Sequence, residues 1–277
     1  MAFGLLGRTN SVFPPIWLSL ALPREGRELD ELVAAALSSG APIDVTSQPA
    51  LWGGKMRGTD ATLVAISSDD YERATDEGHA CSLTQAHLIE VLSSIGRETI
   101  DIYYFRVRQM AEEFQISGAL QALDQAKEEG HIRHIGLCCD GPSFGTLGAW
   151  QFHDAFETLL VPRNHYDSES YDTLAPMANE RRVGIVTSRP LNWGGGSSFT
   201  DTPEHWRLRN LTQSFYGQTL AQAVIADLAQ DHPVLVGVRT PGEIEQAISC
   251  VSNTRPTGLR AMLEPFIESY RAGEGIR

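Results

Sequence analysis

The chain has 277 residues, enough to bury a large core and close to the roughly 250 residues of a single α/β barrel. Hydrophobic residues make up 42% of it, an ordinary share for a globular protein, and the formal net charge is -13. Such a charge repels phosphate backbones and anionic lipid, which argues against nucleic-acid and membrane partners.

The first apolar run, Ile16 to Leu22, reads as a buried strand and is too short to span a bilayer. From Arg27 to Ser39, Leu29, Leu32, Val33, Ala36 and Leu37 recur at helical spacing, and Gly40 supplies a left-handed stop. Pro42 to Thr46 and Ala61 to Ser67 are short strand candidates. Between them, Ser47 to Asp60 has several Gly and no helical pattern, and is too short for a full helix with two turns. Ser82 is the expected cap of a helix running to about Ser94, with Leu88, Val91 and Leu92 on one face. Ile100 to Arg106 is aromatic and β-branched, hence a strand. Helix is expected over Gly118 to Glu129 and strand over Ile132 to Cys139. Helix over Phe144 to Phe152 and strand over Thr158 to Arg163 follow, then helix over Tyr171 to Glu180 and strand over Val183 to Ser188. Gly194 to Ser198 is a flexible loop after that strand. The last unit pairs helix Leu220 to Ala229 with strand Val234 to Val238 and helix Glu243 to Val251, and a further helix covers Leu259 to Arg271.

Apolar strands alternating with helices imply a parallel sheet covered by helices on its outer face. About eight such units imply closure into one (β/α)8 barrel, here with the second barrel helix missing and an extra C-terminal helix, forming a single domain over residues 1–277. The four cysteines, Cys81, Cys138, Cys139 and Cys250, form neither a disulfide framework nor a zinc pattern. With no basic, apolar leader at the N-terminus, a reducing cytoplasm is the expected compartment. The eight His residues show no metal spacing, so no metal site is expected; His131 and His134 read as surface or packing residues.

Three segments carry a resemblance: Glu98-Thr-Ile-Asp-Ile-Tyr-Tyr-Phe-Arg106, Ala119 to Gly136, and Val236-Gly-Val-Arg-Thr-Pro-Gly-Glu243. In their order and spacing the chain resembles the aldo/keto reductase superfamily, which implies an NADP(H)-binding barrel. Members of that family use an Asp, a Tyr, a Lys and a His to move protons at the substrate carbonyl. Asp44, in Ile43-Asp-Val-Thr46, matches the Asp. Ser67 stands where the Lys would be and Arg106 where the His would be. The Tyr is lost with the second helix, and Trp52 is its nearest aromatic counterpart. The implied cofactor positions are also altered. The Ser-Asn after the fifth strand is Cys138-Cys139, Asn164 is retained, and Ser188 replaces the aromatic that stacks on nicotinamide. Gly237, Arg239 and Thr240 keep the terminal phosphate motif, followed by Glu243, whose carboxylate would oppose a 2′-phosphate. Cofactor binding is therefore expected to be weak or absent.

Asp44 and Arg106 are expected at the barrel mouth, either facing each other as a substrate-binding pair or neutralising a partly buried site. Arg189 is a candidate anion ligand or a surface Arg. Thr240 is a phosphate contact or an ordinary helix cap. Trp52, Ser67, Cys138 and Trp193 are candidate pocket residues; Cys138 is a weakly supported nucleophile and otherwise a small buried residue. Tyr104 shares the parity of Arg106 and is the candidate for a rebuilt proton donor. Three functions compete. One is an enzyme acting on a small polar carbonyl or ring compound by non-redox acid/base chemistry. The others are an NADP(H) oxidoreductase with a new proton donor, and a non-catalytic ligand- or partner-binding protein. Oligomeric state and substrate identity are left open by the sequence.

Overall fold

Eight apolar segments pair in sequence order, each parallel to the next, and the last pairs with the first, so the sheet closes. The computed structural model describes residues 5–21, 26–46, 49–191, 206–252 and 256–271. The strands are β1 (Ile16–Leu20), β2 (Ile43–Asp44), β3 (Leu63–Ile66), β4 (Ile100–Val107), β5 (Ile132–Cys139), β6 (Thr158–Pro162), β7 (Gly184–Ser188) and β8 (Val234–Val238). The helices are α1 (Arg27–Ser39), α2 (Pro49–Trp52), α3 (Glu77–Ile95), α4 (Glu113–Glu128), α5 (Ser143–Phe152), α6 (Glu169–Glu180), α7 (Trp206–Tyr216), α8 (Leu220–Leu228), α9 (Pro241–Ser249) and α10 (Leu259–Arg271). This is the expected (β/α)8 barrel with an extra C-terminal helix. No described helix is long and apolar enough to cross a membrane.

Alternation along each strand separates two cores. Trp17, Val64, Ile66, Ile102, Tyr104, Cys138, Leu160, Val186 and Leu235 fill the barrel interior. Their neighbours, such as Leu18, Ala65, Phe105, Leu137 and Val236, face outward onto the helices. The interior is packed closely enough to dictate composition. A Cβ on Gly136 would lie 2.3 Å from the Tyr104 ring, so the ring lies flat against β5 only because that position is glycine.

The connection from β2 to β3 holds one helical turn, Pro49–Trp52, and no regular helix among its described residues. It is tied instead to the end of α3, where Gly54 N donates to Ser94 O at 2.7 Å and Met56 N to Ile95 O at 3.2 Å. Trp52 and Met56 are fully buried in the outer core. Trp52 therefore covers apolar surface that a missing helix would leave open, and does not wall the mouth as expected from its sequence position.

The helices depart most from the sequence reading at three places. Helix α3 starts at Glu77, capped by Asp76, whose carboxylate accepts from His79 N; Ser82 lies inside it and bonds Gly78 O. Helix α4 starts five residues before Gly118, with a capping box between Glu112 and Gln115. Gly118 is interior because a Cβ there would meet Glu77 O at 2.1 Å, so the glycine serves the α3–α4 contact rather than marking a helix start. Helix α7 has no counterpart in the sequence reading. Leu208, Leu211 and Phe215 do recur on it at helical spacing, yet Leu211 and Phe215 are exposed.

Candidate functional site

The C-terminal ends of the strands bring several of the candidate residues to one face. Asp44 ends β2 and is 4% exposed. Its Oδ2 accepts from Ser19 Oγ at 2.9 Å on the adjacent strand, and its Oδ1 accepts from Thr46 N at 2.9 Å. Thr46 Oγ1 in turn accepts from Ile66 N at 2.6 Å, so the ends of β1, β2 and β3 are laced together through one carboxylate. Ser67 is also buried. It accepts from Arg106 N at 2.9 Å and its own amide donates to Tyr104 O at 2.8 Å, which makes it a tie between β3 and β4.

Arg106 does not pair with Asp44. Its nearest carboxylate is that of Asp140, just past β5, with Nε 3.5 Å from Oδ2. Nε is buried and has no hydrogen-bond partner, while the side chain as a whole is 26% exposed. The other Asp140 oxygen accepts a hydrogen bond from Arg189, which follows β7. Arg189 is one of three non-glycine described residues with positive φ, at 57°. The mouth thus holds an Arg106–Asp140–Arg189 cluster. Asp140 was missed in the sequence because its partners come from β4 and β7, distant along the chain, and no local motif marks it. An outer ion pair, Arg108 with Asp69, lies beyond this cluster on the same connections.

Below the cluster, Cys138 is opposite Arg106 in register and 6% exposed. Burial, reinforced by Asp140, pushes its thiol well above the ordinary cysteine value, with Arg106 and Arg189 opposing only in part. A thiol held protonated is not a nucleophile, so Cys138 is a packing residue. Tyr104 is fully buried in the barrel interior, and burial pushes its phenol above its usual value. Its hydroxyl makes no hydrogen bond of good geometry; the nearby Thr158 hydroxyl offsets a little of the burial effect. A phenol sealed from solvent and made a weaker acid does not suit the proton-donor role given to it above. Trp193 lies outside the described residues, as does the Gly194–Ser198 loop.

The positions tied to cofactor binding are spread along β6, β7 and β8. Asn164 is 5% exposed and its Oδ1 accepts from Tyr166 N at 2.9 Å and Asp167 N at 2.8 Å, holding its own turn. Asn164 also lines a cleft of about 340 Å³ with Arg163, His165, Ser168, Asp227 and Arg260. Ser188 is half-buried at the end of β7, next to Pro162 and Leu235. Gly237 is exposed opposite Ser19. Thr240 caps α9, its Oγ1 accepting from Glu243 N at 3.2 Å. The Glu243 carboxylate reaches back to Arg239 N at 2.6 Å. The capping role of Thr240 is therefore realised, and a carboxylate of the chain itself occupies the amide at this helix start. Among the described residues no group of three or more His, Cys, Asp or Glu is placed to hold a metal ion.

Solved structures with the same arrangement exist. An aldo-keto reductase from Klebsiella pneumoniae in complex with NADPH superposes with a TM-score of 0.77 at 16% identity, covering 96% of this chain and 95% of that one. This barrel has the aldo/keto reductase fold. The holo form of an aldo-keto reductase from Bacillus halodurans gives 0.72 at 15% identity, covering 95% and 94%. A third, from a deep-sea metagenome library, gives 0.72 at 16% identity over 94% of each chain. No family profile matches the sequence, and no curated protein matches it. The fold is thus kept at an identity where side chains are free to differ.

Two of the positions that the sequence resemblance ties to a nicotinamide dinucleotide are engaged by the chain itself. Asn164 spends its side-chain oxygen on its own turn, and the Glu243 carboxylate accepts from Arg239 N. The helix N-terminus that would attract a phosphate is already satisfied in part by Thr240 and Glu243.

Proposed function

We propose that the barrel mouth binds a small polar carbonyl or ring compound bearing an anionic group, and transforms it by acid/base chemistry without hydride transfer. The reaction type would be that of a lyase, isomerase, dehydratase or cyclase. One observation carries this reading: Arg106 stands at the mouth with a buried Nε that has no hydrogen-bond partner and a carboxylate only at 3.5 Å. A desolvated donor of this kind is a strong anchor for a carboxylate or enolate oxygen. The reductase apparatus offers no rival role at this place. Ser67 cannot supply an amine, Trp52 is spent in the outer core, and an arginine such as Arg106 has donors only and no acceptor.

The test is Arg106→Ala and Arg106→Lys, titrated with a panel of small 2-oxo and ring carboxylates alongside thermal melts. Arg106→Ala is expected to weaken binding or turnover about ten- to a hundredfold, as for a lost charge-assisted contact, with little change in melting temperature. Lys lacks the planar fork and should rescue only in part. Early melting with unchanged affinity per folded molecule would defeat the reading.

A second reading, an NADP(H)-dependent oxidoreductase, is favoured by the neighbours solved with NADPH or in a holo form. It is separated from the first by nicotinamide fluorescence. Our reading expects no binding at low micromolar NADPH, and tight binding would restore the redox alternative. NAD(H) belongs in the same titration, because Glu243 suits a free ribose hydroxyl better than a phosphate.

A further inference from the structure

We infer that Asp140 is a built-in stand-in for the carboxylate of the ligand: it occupies the Arg106–Arg189 fork at the barrel mouth and is displaced when a small carboxylate binds. The inference rests on the reading of Arg106 as an anion anchor and adds the residue that sets affinity and selectivity there.

Three features of the cluster point this way. The first is stoichiometry. One carboxylate is divided between two guanidinium groups that come from opposite sides of it, Arg106 from β4 and Arg189 from the end of β7. The two guanidinium groups share this one carboxylate where Arg106 is only 26% exposed and Asp140 20%, and the neighbouring Arg108–Asp69 pair is already matched within itself. Asp44 makes no ion pair with either arginine; its oxygens accept from Ser19 and Thr46. The second is geometry. Asp140 satisfies Arg189 by a short hydrogen bond but leaves Arg106 Nε at 3.5 Å, beyond hydrogen-bond contact and buried. A tethered aspartate cannot present itself to both forks at once, whereas a free carboxylate can take either fork in the bidentate manner that suits a guanidinium. The third is backbone strain. Arg189 sits at φ 57°, a left-handed conformation that is unfavourable for a side-chain-bearing residue and is kept where the surroundings demand it. What it achieves here is to turn the guanidinium onto Asp140. All three charges also act on the thiol of Cys138, Asp140 in one sense and the two arginines in the other, which places them together over the top of the barrel interior.

Asp140 so placed makes the site selective. A ligand has to offer a better contact to Arg106 than the resident carboxylate does, so a compact planar carboxylate competes well and a diffuse anion such as chloride competes poorly.

The experiment uses the full chain with pyruvate, acetate and chloride as probes, titrated by calorimetry at constant ionic strength. Asp140→Asn is expected to bind pyruvate and acetate at least about tenfold more tightly than the unaltered chain, because the competing charge is gone while the shape is kept. The gain should vanish in the double variant Asp140→Asn with Arg106→Ala. Equal or weaker binding by Asp140→Asn overturns the stand-in role; if the unaltered chain still binds and Arg106→Ala still loses it, the anchor role of Arg106 survives that result. Binding of these probes by neither protein overturns both. Asp140→Ser is the second variant should Asp140→Asn fold poorly, and thermal melts on every preparation keep loss of fold apart from loss of binding.

Discussion

Replacing Trp52 by Ala tests whether this residue is core or pocket. Trp52 is fully buried in the outer core, on the single turn that stands in place of a barrel helix. A buried indole removes roughly 200 Å² from water, so at about 25 cal/mol per Å² its full burial contributes on the order of 5 kcal/mol as an upper bound. Measured Trp→Ala changes in cores fall at about 3–5 kcal/mol, because the cavity left behind collapses only in part. The neighbouring loop is pinned to α3 by backbone bonds from Gly54 and Met56, which limits that collapse and favours the upper half of the range. Trp52→Ala should therefore cost about 4 kcal/mol in urea denaturation, with an unchanged m-value, and Trp52→Phe clearly less. A cost under about 1 kcal/mol, or a change in ligand affinity with no change in stability, would show that the ring faces a pocket and that the missing helix is not compensated in this way.

Two further perturbations probe parts of the structure that the binding experiments leave aside. Arg189→Gly relieves the left-handed backbone while Arg189→Ala does not, and both lose the same half-exposed ion pair with Asp140; the Gly variant should be more stable than the Ala variant by about 1 kcal/mol in denaturant melts, and equality would refute the strained conformation. His232 is pushed down to about 4 by burial and by Arg163, and its Nε2 shares a hydrogen bond with the Tyr171 hydroxyl. Its folded value lies below its unfolded value near 6.5, so the unfolded chain binds the extra proton and stability falls as pH drops from about 6.5 toward 4. His232→Gln should remove a part of that acid sensitivity, on the order of 2–3 kcal/mol between neutral pH and pH 4, and an unchanged stability-versus-pH curve would refute the shift.

How much of this was legible from residue order depends on whether the controlling interaction is local. Helix α1 runs from Arg27 to Ser39 as its apolar spacing and Gly40 indicate, and β5, β8 and α10 coincide with their sequence readings because an apolar run or a repeating stripe defines each one. In α10, Leu259, Leu263 and Ile267 fall one turn apart and are buried. The start of α4 was not legible, since Gly118 looks like a boundary in sequence and is a close-packing contact in space. The scarcity of helix between β2 and β3 was legible from length alone, but the use of Trp52 to cover the gap was not. At the mouth, Asp44, Ser67 and Arg106 were placed at strand ends by counting along strands. Their partners were not, because Asp140 meets Arg106 and Arg189 only once the barrel has closed.

The arrangement also constrains which proton transfers the mouth can support. Arginine does not give up its proton in a protein, so neither Arg106 nor Arg189 can serve as acid or base; they can only hold an anion or stabilise one that forms. Serine at the lysine position accepts a backbone hydrogen bond and is buried in doing so, which leaves its hydroxyl tied to the β3–β4 seam. Cys138 stays a thiol and Tyr104 stays a phenol, both under burial that disfavours their anions. What remains at these strand ends is a pair of carboxylates, of which Asp140 lies beside both guanidinium groups. Asp44 is fixed by two donors and can hardly move, whereas Asp140 is held only by charges that a ligand carboxylate can replace. A proton removed from a bound carbonyl or ring compound would therefore pass to a carboxylate, and the oxyanion left behind would sit against arginine. That division of labour would favour reactions that begin with proton abstraction next to a carbonyl over reactions that begin with protonation of one.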